Sequence, residues 1–300
     1  MVVTLLLILL AGVPLAAQPT AAIRNKLSAG DYLSAESILE VHEREKGQDA
    51  AYLDGLAWVL RGAVLLGEWQ RAEAMDAKLA ALIATKLSVP GTDLTKDAAL
   101  AGLVGAQTEA HAQILAQRDK RKAVAFLDAQ LTRFRAPVGL RSRLYKRRNM
   151  LALEGRRAPE FATEESLTPE APTLASFKGQ RVLVFGWAQW CGDCKSQAAA
   201  LARARPQLEK SGVKLVALTR FYETDTAAER KKIRDTWAES YKGLEGVPLL
   251  VSTAGMEVYG VSSTPTFALI GANGKVSRYL PYRLTQSALE ELAAAPQSAK

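Results

Sequence analysis

Two cysteines, Cys191 and Cys194, are the only cysteines of the 300-residue chain. They follow an apolar run at residues 182–187 that predicts a buried strand, and a helical pattern begins just after them. A Cys-x-x-Cys pair at a strand-to-helix junction predicts a reactive dithiol, because the free N–H groups and partial positive charge of a helix N-terminus stabilise a thiolate. Cys191 is then the attacking sulfur, and Cys194, one turn along the helix, resolves the mixed disulfide.

Two other uses of the pair have to be weighed. Half of a zinc site would need two further ligands, and the two histidines, His42 and His111, both lie far upstream in helical patterns. A purely structural disulfide would close a loop of only four residues and would constrain the unfolded chain little. Both alternatives stay open, but redox chemistry is favoured, and no metal site is predicted.

The N-terminal segment predicts export. No charged side chain occurs in the first 23 residues, the stretch is apolar, and it ends in small residues near Ala17. Residues 1–20 are therefore interpreted as a signal peptide, with an uncleaved N-terminal anchor or a buried helix as alternatives. Exported proteins usually use cysteines for structural disulfides, and this chain has none besides the pair, so a chemical role for the dithiol is favoured.

Residues 21–157 predict an all-α domain of helical hairpins. Gly30-Asp31-Tyr32 and Gly67-Glu68-Trp69 each begin a similar six-residue segment that ends in alanine, and they lie 37 residues apart. The pattern resembles the turn inside tetratricopeptide hairpins, with a degenerate third copy at residues 118–123. A helical bundle without repeats is the alternative. A continuous helix is expected over about residues 98–133.

Positive charge is concentrated in one part of that domain. Residues 118–157 contain 13 lysines or arginines and only three acidic residues, although the whole chain carries a net charge of +8. Such a run usually forms a solvated helix face, and contact with an anionic membrane surface is the functional alternative. Nucleic acid is not an expected partner of an exported protein.

The character of the chain changes after residue 157. Prolines and acidic residues at 156–176 predict a linker and lead-in, and strands and helices alternate from residue 181 onward. The final part, with strands near 266–270 and 276–280 around Asn273-Gly274, predicts a hairpin and a closing helix. The predicted fold class is α/β: residues 158–300 form a mixed sheet with helices on both faces, preceded by the all-α domain.

Together these residues resemble the thioredoxin superfamily, and within it the exported TlpA/ResA-type thiol–disulfide oxidoreductases. The resemblance covers about residues 158–297 and rests on the lead-in at 158–161, on the run 182–195 with its Trp190-Cys191-Gly192-Asp193-Cys194-Lys195, and on 259–267. It implies that Cys191 and Cys194 are catalytic and that Trp190 shields their sulfurs. It also implies that Thr264 and Pro265 form a cis-proline loop, which presents its backbone to a substrate segment.

The sequence departs from the family pattern at two places. Phe185 stands where thioredoxins proper carry a buried Asp, and Gln197 stands where the exported branch often carries a Glu. A glutamine can form hydrogen bonds but cannot exchange a proton at neutral pH. Gly192, Asp193, Lys195 and Gln197 are interpreted as tuning residues. Asp193 repels a neighbouring thiolate and Lys195 opposes that repulsion, which predicts a disulfide that resists reduction and hence an electron donor.

The leading hypothesis is therefore an exported, periplasmic or otherwise extracytoplasmic thiol–disulfide oxidoreductase that reduces protein disulfides. Its only redox group is the Cys191–Cys194 disulfide, and no bound cofactor is expected. Its partners are protein thiols and disulfides, a recycling reductant and a protein recruited by the helical domain. The alternative is a helical-repeat scaffold with a redox-responsive docking module. A thiol peroxidase is disfavoured, because the Pro-x-x-x-Thr-x-x-Cys run of that family is absent from the sequence.

Overall fold

The computed structural model describes residues 19–294, and their contacts form two compact units. Residues 19–92 and 102–114 make up the first unit, and residues 93–101 and 115–294 make up the second. The predicted signal or anchor segment at residues 1–20 lies almost wholly outside the described residues. Over residues 19–294, no helix combines the length and apolarity that crossing a membrane requires.

The regular structure of residues 19–152 is entirely helical, as the sequence predicts for residues 21–157. Its helices are α1 (Pro19–Ser28), α2 (Tyr32–Lys46), α3 (Ala50–Leu66), α4 (Trp69–Leu87), α5 (Ala98–Arg118), α6 (Lys120–Arg133) and α7 (Val138–Ala152). Acidic side chains begin several of them: Asp31 accepts the Ser34 N–H and Asp49 accepts the Tyr52 N–H. These caps satisfy N–H groups that the first turn of a helix leaves unpaired.

The two similar sequence segments occupy similar places in the first unit. Gly30 lies between α1 and α2 and Gly67 between α3 and α4, both with positive φ (76° and 74°), which glycine adopts at little cost. After each turn an aromatic residue and an alanine follow: Tyr32 and Ala35 are buried, Ala72 is buried, and Trp69 is half-buried. The helical hairpins are thus observed, whereas their classification as tetratricopeptide repeats stays a prediction.

The continuous helix expected over residues 98–133 is wrong. The chain breaks at Asp119, whose backbone is extended (φ −155°, ψ 104°) and whose carboxylate accepts the N–H groups of Arg121 and Lys122. Aspartate favours such capping positions over helix interiors, because its short side chain competes for nearby backbone N–H groups. The break falls inside residues 118–123, where the sequence suggested a third hairpin turn.

The second unit contains the predicted mixed sheet. Its strands are β1 (Glu165–Ser166), β2 (Arg181–Gly186), β3 (Val213–Thr219), β4 (Leu249–Val251), β5 (Thr266–Ile270) and β6 (Val276–Leu280). Their order is β1-β4-β3-β2-β5-β6. β2 pairs in parallel with β3, and β3 with β4, while the other pairs are antiparallel. The helices of this part are α8 (Gly192–Lys210), α9 (Thr226–Ser240), α10 (Thr253–Val258) and α11 (Gln286–Ala294).

Helices cover both faces of the sheet, which confirms the predicted fold class. In β2, Leu183 and Phe185 face a core that includes residues of α8, α9 and α11, whereas Val182 and Val184 face a core that includes Met256 of α10. The alternation follows from the two-residue period of a strand. Because both faces are buried, β2 is an uninterrupted apolar run after its first residue.

Three local features were missed from sequence. The 156–176 segment, predicted as a linker, contains β1 and a short 3₁₀ helix (Leu174–Phe177), and α10 was not predicted at all. β1 has only two residues, and α10 has only six. Elements this short carry no periodicity, and they form here because the sheet edge and the core offer partners to their backbone groups and apolar side chains.

The domain boundary predicted between residues 157 and 158 stays a prediction. In the structure, α6 and α7 belong to the same compact unit as the sheet. Arg141 of α7 pairs with Glu257 of α10 at 2.7 Å, and Asn149 donates to the carbonyl of Val258 at 2.9 Å. The second bond satisfies a carbonyl at the C-terminus of α10. α7 is therefore fastened to the short helix that precedes the Thr264–Pro265 loop.

Candidate active site

The two cysteines lie where β2 passes into α8, and they form a disulfide with their Cα atoms 5.2 Å apart. Cys191 is the N-cap residue of α8, and its Sγ accepts the Cys194 N–H at 3.0 Å. Cys191 retains 5% of its surface, whereas Cys194 has none. Cys191 is thus the more accessible of the two residues, and it stands at the N-terminus of α8, where a helix stabilises negative charge such as that of a thiolate.

The loop before β5 forms the opposite side of the site. The Thr264–Pro265 peptide bond is cis, and the Thr264 carbonyl oxygen lies 3.5 Å from Cys191 Sγ. A disulfide sulfur has no proton, so this is a contact in the oxidised state, whereas the Cys191 thiol of the reduced state could donate there. The loop approaches closely because Gly186 has no side chain: a Cβ there would lie 2.8 Å from a methyl of Val261.

An aromatic pair flanks the first cysteine. Trp190 is 58% exposed, and its ring meets the edge of Tyr222 at a centroid distance of 5.4 Å in a T-shaped arrangement. Burial raises the pKa of the Tyr222 phenol above its ordinary value. Tyr222 follows β3, so the sequence alone did not place it beside the motif. The Trp190 ring exposes apolar surface beside Cys191, and a role for it in substrate binding stays a prediction.

Buried Glu229 of α9 holds the loop that carries Tyr222. Its Oε2 accepts the N–H groups of Tyr222 and Glu223, both at 2.7 Å. Charge-assisted bonds of this kind are among the stronger ones in proteins, and a buried carboxylate requires such partners. Sequence analysis missed Glu229, since one acidic residue in a charged amphipathic helix gives no sign that it points inward.

The predicted tuning residues have different surroundings. Asp193 is exposed and lies 3.3 Å from Arg283, which offsets part of its negative charge, while Gly192 and Lys195 are exposed. Gln197 is buried, and its amide bonds both the N–H and the carbonyl of Leu284. Gln197 thus connects α8 to the segment before α11. A direct influence of these residues on the dithiol stays a prediction.

No group of three or more His, Cys, Asp or Glu side chains is arranged to hold a metal ion within residues 19–294. The sulfurs of both cysteines are taken up by the disulfide. A disulfide at this junction can exchange with an external thiol, and the reduced Cys191 could then attack another disulfide.

Comparisons with known proteins agree with this chemistry. Residues 153–284 match the Redoxin family. The thioredoxin-like protein YneN of Bacillus subtilis is 26% identical over 49% of this chain and 82% of its own length. The thiol-disulfide oxidoreductase ResA of the same organism is 28% identical over 46% of this chain and 73% of its own.

Among solved structures, a DsbE-type thiol:disulfide interchange protein of Chlorobium tepidum aligns with 47% of this chain and 95% of its own, at 24% identity and a TM-score of 0.40. Residues 153–284 thus match the Redoxin family and are related in sequence to thiol–disulfide oxidoreductases, so the resemblance inferred from the motifs is confirmed. The matches to YneN and ResA each cover about half of the chain.

Proposed function

We propose that this Redoxin-domain chain is an exported oxidoreductase that reduces disulfides of other proteins. The observation that carries the proposal is the placement of Cys191, the only one of the two cysteines with exposed surface, at the N-terminus of α8 and beside the Thr264 carbonyl. A substrate segment lying along the Thr264 backbone in an extended conformation would bring its disulfide to that sulfur.

The reaction proceeds in two exchanges. The Cys191 thiolate attacks one sulfur of the substrate disulfide, forms a mixed disulfide and releases the other substrate sulfur as a thiolate. The Cys194 thiolate then attacks Cys191 Sγ, which releases the second substrate thiolate and leaves the Cys191–Cys194 disulfide. Two electrons pass to the substrate, its thiolates take protons from solvent, and a dithiol reductant restores the enzyme.

A trapping experiment tests this function in the full-length chain. In Cys194→Ser the second exchange cannot occur, so mixed disulfides with substrate proteins should accumulate and disappear with dithiothreitol. In Cys191→Ser both turnover and trapping should be lost. Binding partners retained equally by both variants, with no turnover by the wild type, would instead identify a redox-responsive scaffold.

The direction of electron flow is tested separately. Equilibration of the dithiol against glutathione couples of graded composition gives its reduction potential, and a donor should have a potential close to those of reducing thioredoxin-type proteins, about −270 mV. A value near −120 mV, as in the strongest oxidants, would refute the proposed direction. Export is tested by fractionating cells that express the chain with and without residues 1–20.

A further inference from the structure

A groove of about 930 Å³ lies in the second unit, between α6, α7, the following segment to Pro159, and the end of α10. Five arginines line it: Arg135, Arg141, Arg148, Arg156 and Arg157. Only two acidic residues, Asp128 and Glu257, accompany them. We call this feature the arginine groove. Its volume lies within the range of about 300–1,000 Å³ that is usual for ligand pockets.

Two of the five arginines are committed to the fold. Arg148 pairs with Asp128 at 2.7 Å. Arg141 pairs with Glu257 at 2.7 Å, and its Nη1 also donates to the Leu131 carbonyl at 2.7 Å, near the end of α6. These bonds offset the charge of both carboxylates and hold the side chains of Arg141 and Arg148 in place.

The other three arginines have no carboxylate partner among residues 19–294. Arg135 donates from Nε to the Thr132 carbonyl, and no ion pair involves Arg156 or Arg157, whose side chains are exposed. The backbones of Arg156 and Arg157 are held, since the Arg156 carbonyl accepts the Val276 N–H at 2.9 Å and Arg157 forms a bridge with Lys275. Three arginines without a carboxylate partner thus line one concavity, and the backbones of two of them are held by the bonds to Val276 and Lys275.

We propose that the arginine groove binds an acidic segment of a partner protein. A guanidinium pairs with a carboxylate through two parallel N–H···O bonds, so three unpaired arginines suit a segment with several Asp or Glu side chains. The apolar side chains of Leu131 and Val258 and the ring of Tyr145 also line the groove and can pack against its stem carbons. A concave groove admits a polypeptide segment, whereas a planar membrane surface cannot follow it.

Binding of a fluorescent peptide with six spaced glutamates tests the proposal in the full-length chain. The Cys191→Ser background removes disulfide exchange, so the result does not depend on the proposed enzymatic function. Wild-type affinity should fall as salt is raised, because exposed charges are screened. The triple variant R135E/R156E/R157E should bind the peptide at least about tenfold more weakly, a change of roughly 1.4 kcal/mol.

The matched control, R203E/K210E/K214E, reverses the charge of three exposed basic residues of the same unit that do not line the groove. Its affinity for the peptide should stay within about twofold of wild type, because only contacts in the groove decide binding. Circular dichroism establishes that both triple variants are folded. Equal weakening in both variants would show a response to net charge and overturn the proposal. Absence of peptide binding at low salt, or binding to phosphatidylserine-containing vesicles without binding to the peptide, would overturn it as well.

Discussion

Gln197 and Leu284 form a closed pair of hydrogen bonds: Gln197 Oε1 accepts the Leu284 N–H at 2.7 Å, and Gln197 Nε2 donates to the Leu284 carbonyl at 3.1 Å. Both partners are buried. The side chain that stands where related proteins often carry a glutamate is therefore fully occupied by the backbone. Gln197 thus connects α8, the helix that begins at the cysteines, to the segment just before α11.

Substitution of Gln197 should destabilise the second unit. Gln197→Ala leaves a buried N–H and a buried carbonyl unpaired, each costing about 1–3 kcal/mol. In Gln197→Glu one carboxylate oxygen can still accept the Leu284 N–H, but the other oxygen faces the Leu284 carbonyl, and two acceptors cannot form a hydrogen bond with each other. Urea unfolding should give a lower midpoint for both variants, with the Glu variant improving at acid pH, where a protonated carboxyl can donate. An unchanged urea midpoint in both variants would show that the two hydrogen bonds between Gln197 and Leu284 do not contribute to stability.

Tyr222 should affect substrate binding more than chemistry. Tyr222→Ala removes the ring that meets Trp190 edge-on, and such pairs are worth about 0.5–1.5 kcal/mol. We expect KM for a protein disulfide to rise about two- to tenfold while kcat changes little, and Tyr222→Phe to behave like wild type. Equal effects of the Ala and Phe variants would contradict the aromatic role.

Arg283 should modulate the reactivity of Cys191 through Asp193. Arg283→Gln removes the cation 3.3 Å from the Asp193 carboxylate, so that less of this negative charge near the dithiol end of α8 is offset. Alkylation of reduced Cys191 below neutral pH should slow about two- to threefold at low ionic strength, a small effect because both side chains are half-exposed. The double variant Arg283→Gln/Asp193→Asn should regain the wild-type rate. Slowing that persists in the double variant would rule out this electrostatic route.

The close approach of α7 to Gly260 should be intolerant of a side chain. A Cβ at Gly260 would lie 2.4 Å from the Lys146 backbone nitrogen, and φ there is +66°. Gly274 is a matched control, with φ +73° and no atom within 4 Å of its Cβ position. Gly274→Ala should cost about 1–2 kcal/mol for its left-handed backbone. Gly260→Ala should cost about 1–3 kcal/mol more through overpacking, and similar losses in thermal unfolding would refute the contact.

The His111–Asp76 pair should make the stability of the first unit depend on pH. Its hydrogen bond, at 2.7 Å, raises the pKa of His111 above the ordinary value of 6.5. Because the folded state holds the His111 proton more tightly than the unfolded state, protonation stabilises the fold. This stabilisation is complete below pH 6.5 and is lost as the pH rises through the pKa of His111 in the folded state. The urea midpoint should therefore fall as pH is raised from about 6 to 9, and His111→Gln should flatten that part of the profile. An identical profile in the variant would contradict the assignment.

Local sequence patterns were enough to predict the parts of this protein that depend on neighbours along the chain. A Cys-x-x-Cys between an apolar run and a helical pattern placed Cys191 at a helix N-terminus, and the strands near 181–185, 214–218 and 266–270 agree with the structure because long, apolar elements are marked by their own composition. The motifs that follow one another through residues 158–267 also indicated the family.

Contacts between residues that are distant in sequence could be read from the folded chain alone. Tyr222 reaches Trp190, Gln197 reaches Leu284, and α7 reaches α10 across separations that no local pattern encodes. Elements as short as β1 and α10 form because the rest of the fold supplies partners for their backbone groups. The sequence predicted the separate roles of Cys191 and Cys194 from their positions at the helix start, whereas their accessibility follows from the packing around α8, which leaves Cys191 slightly exposed and Cys194 fully buried.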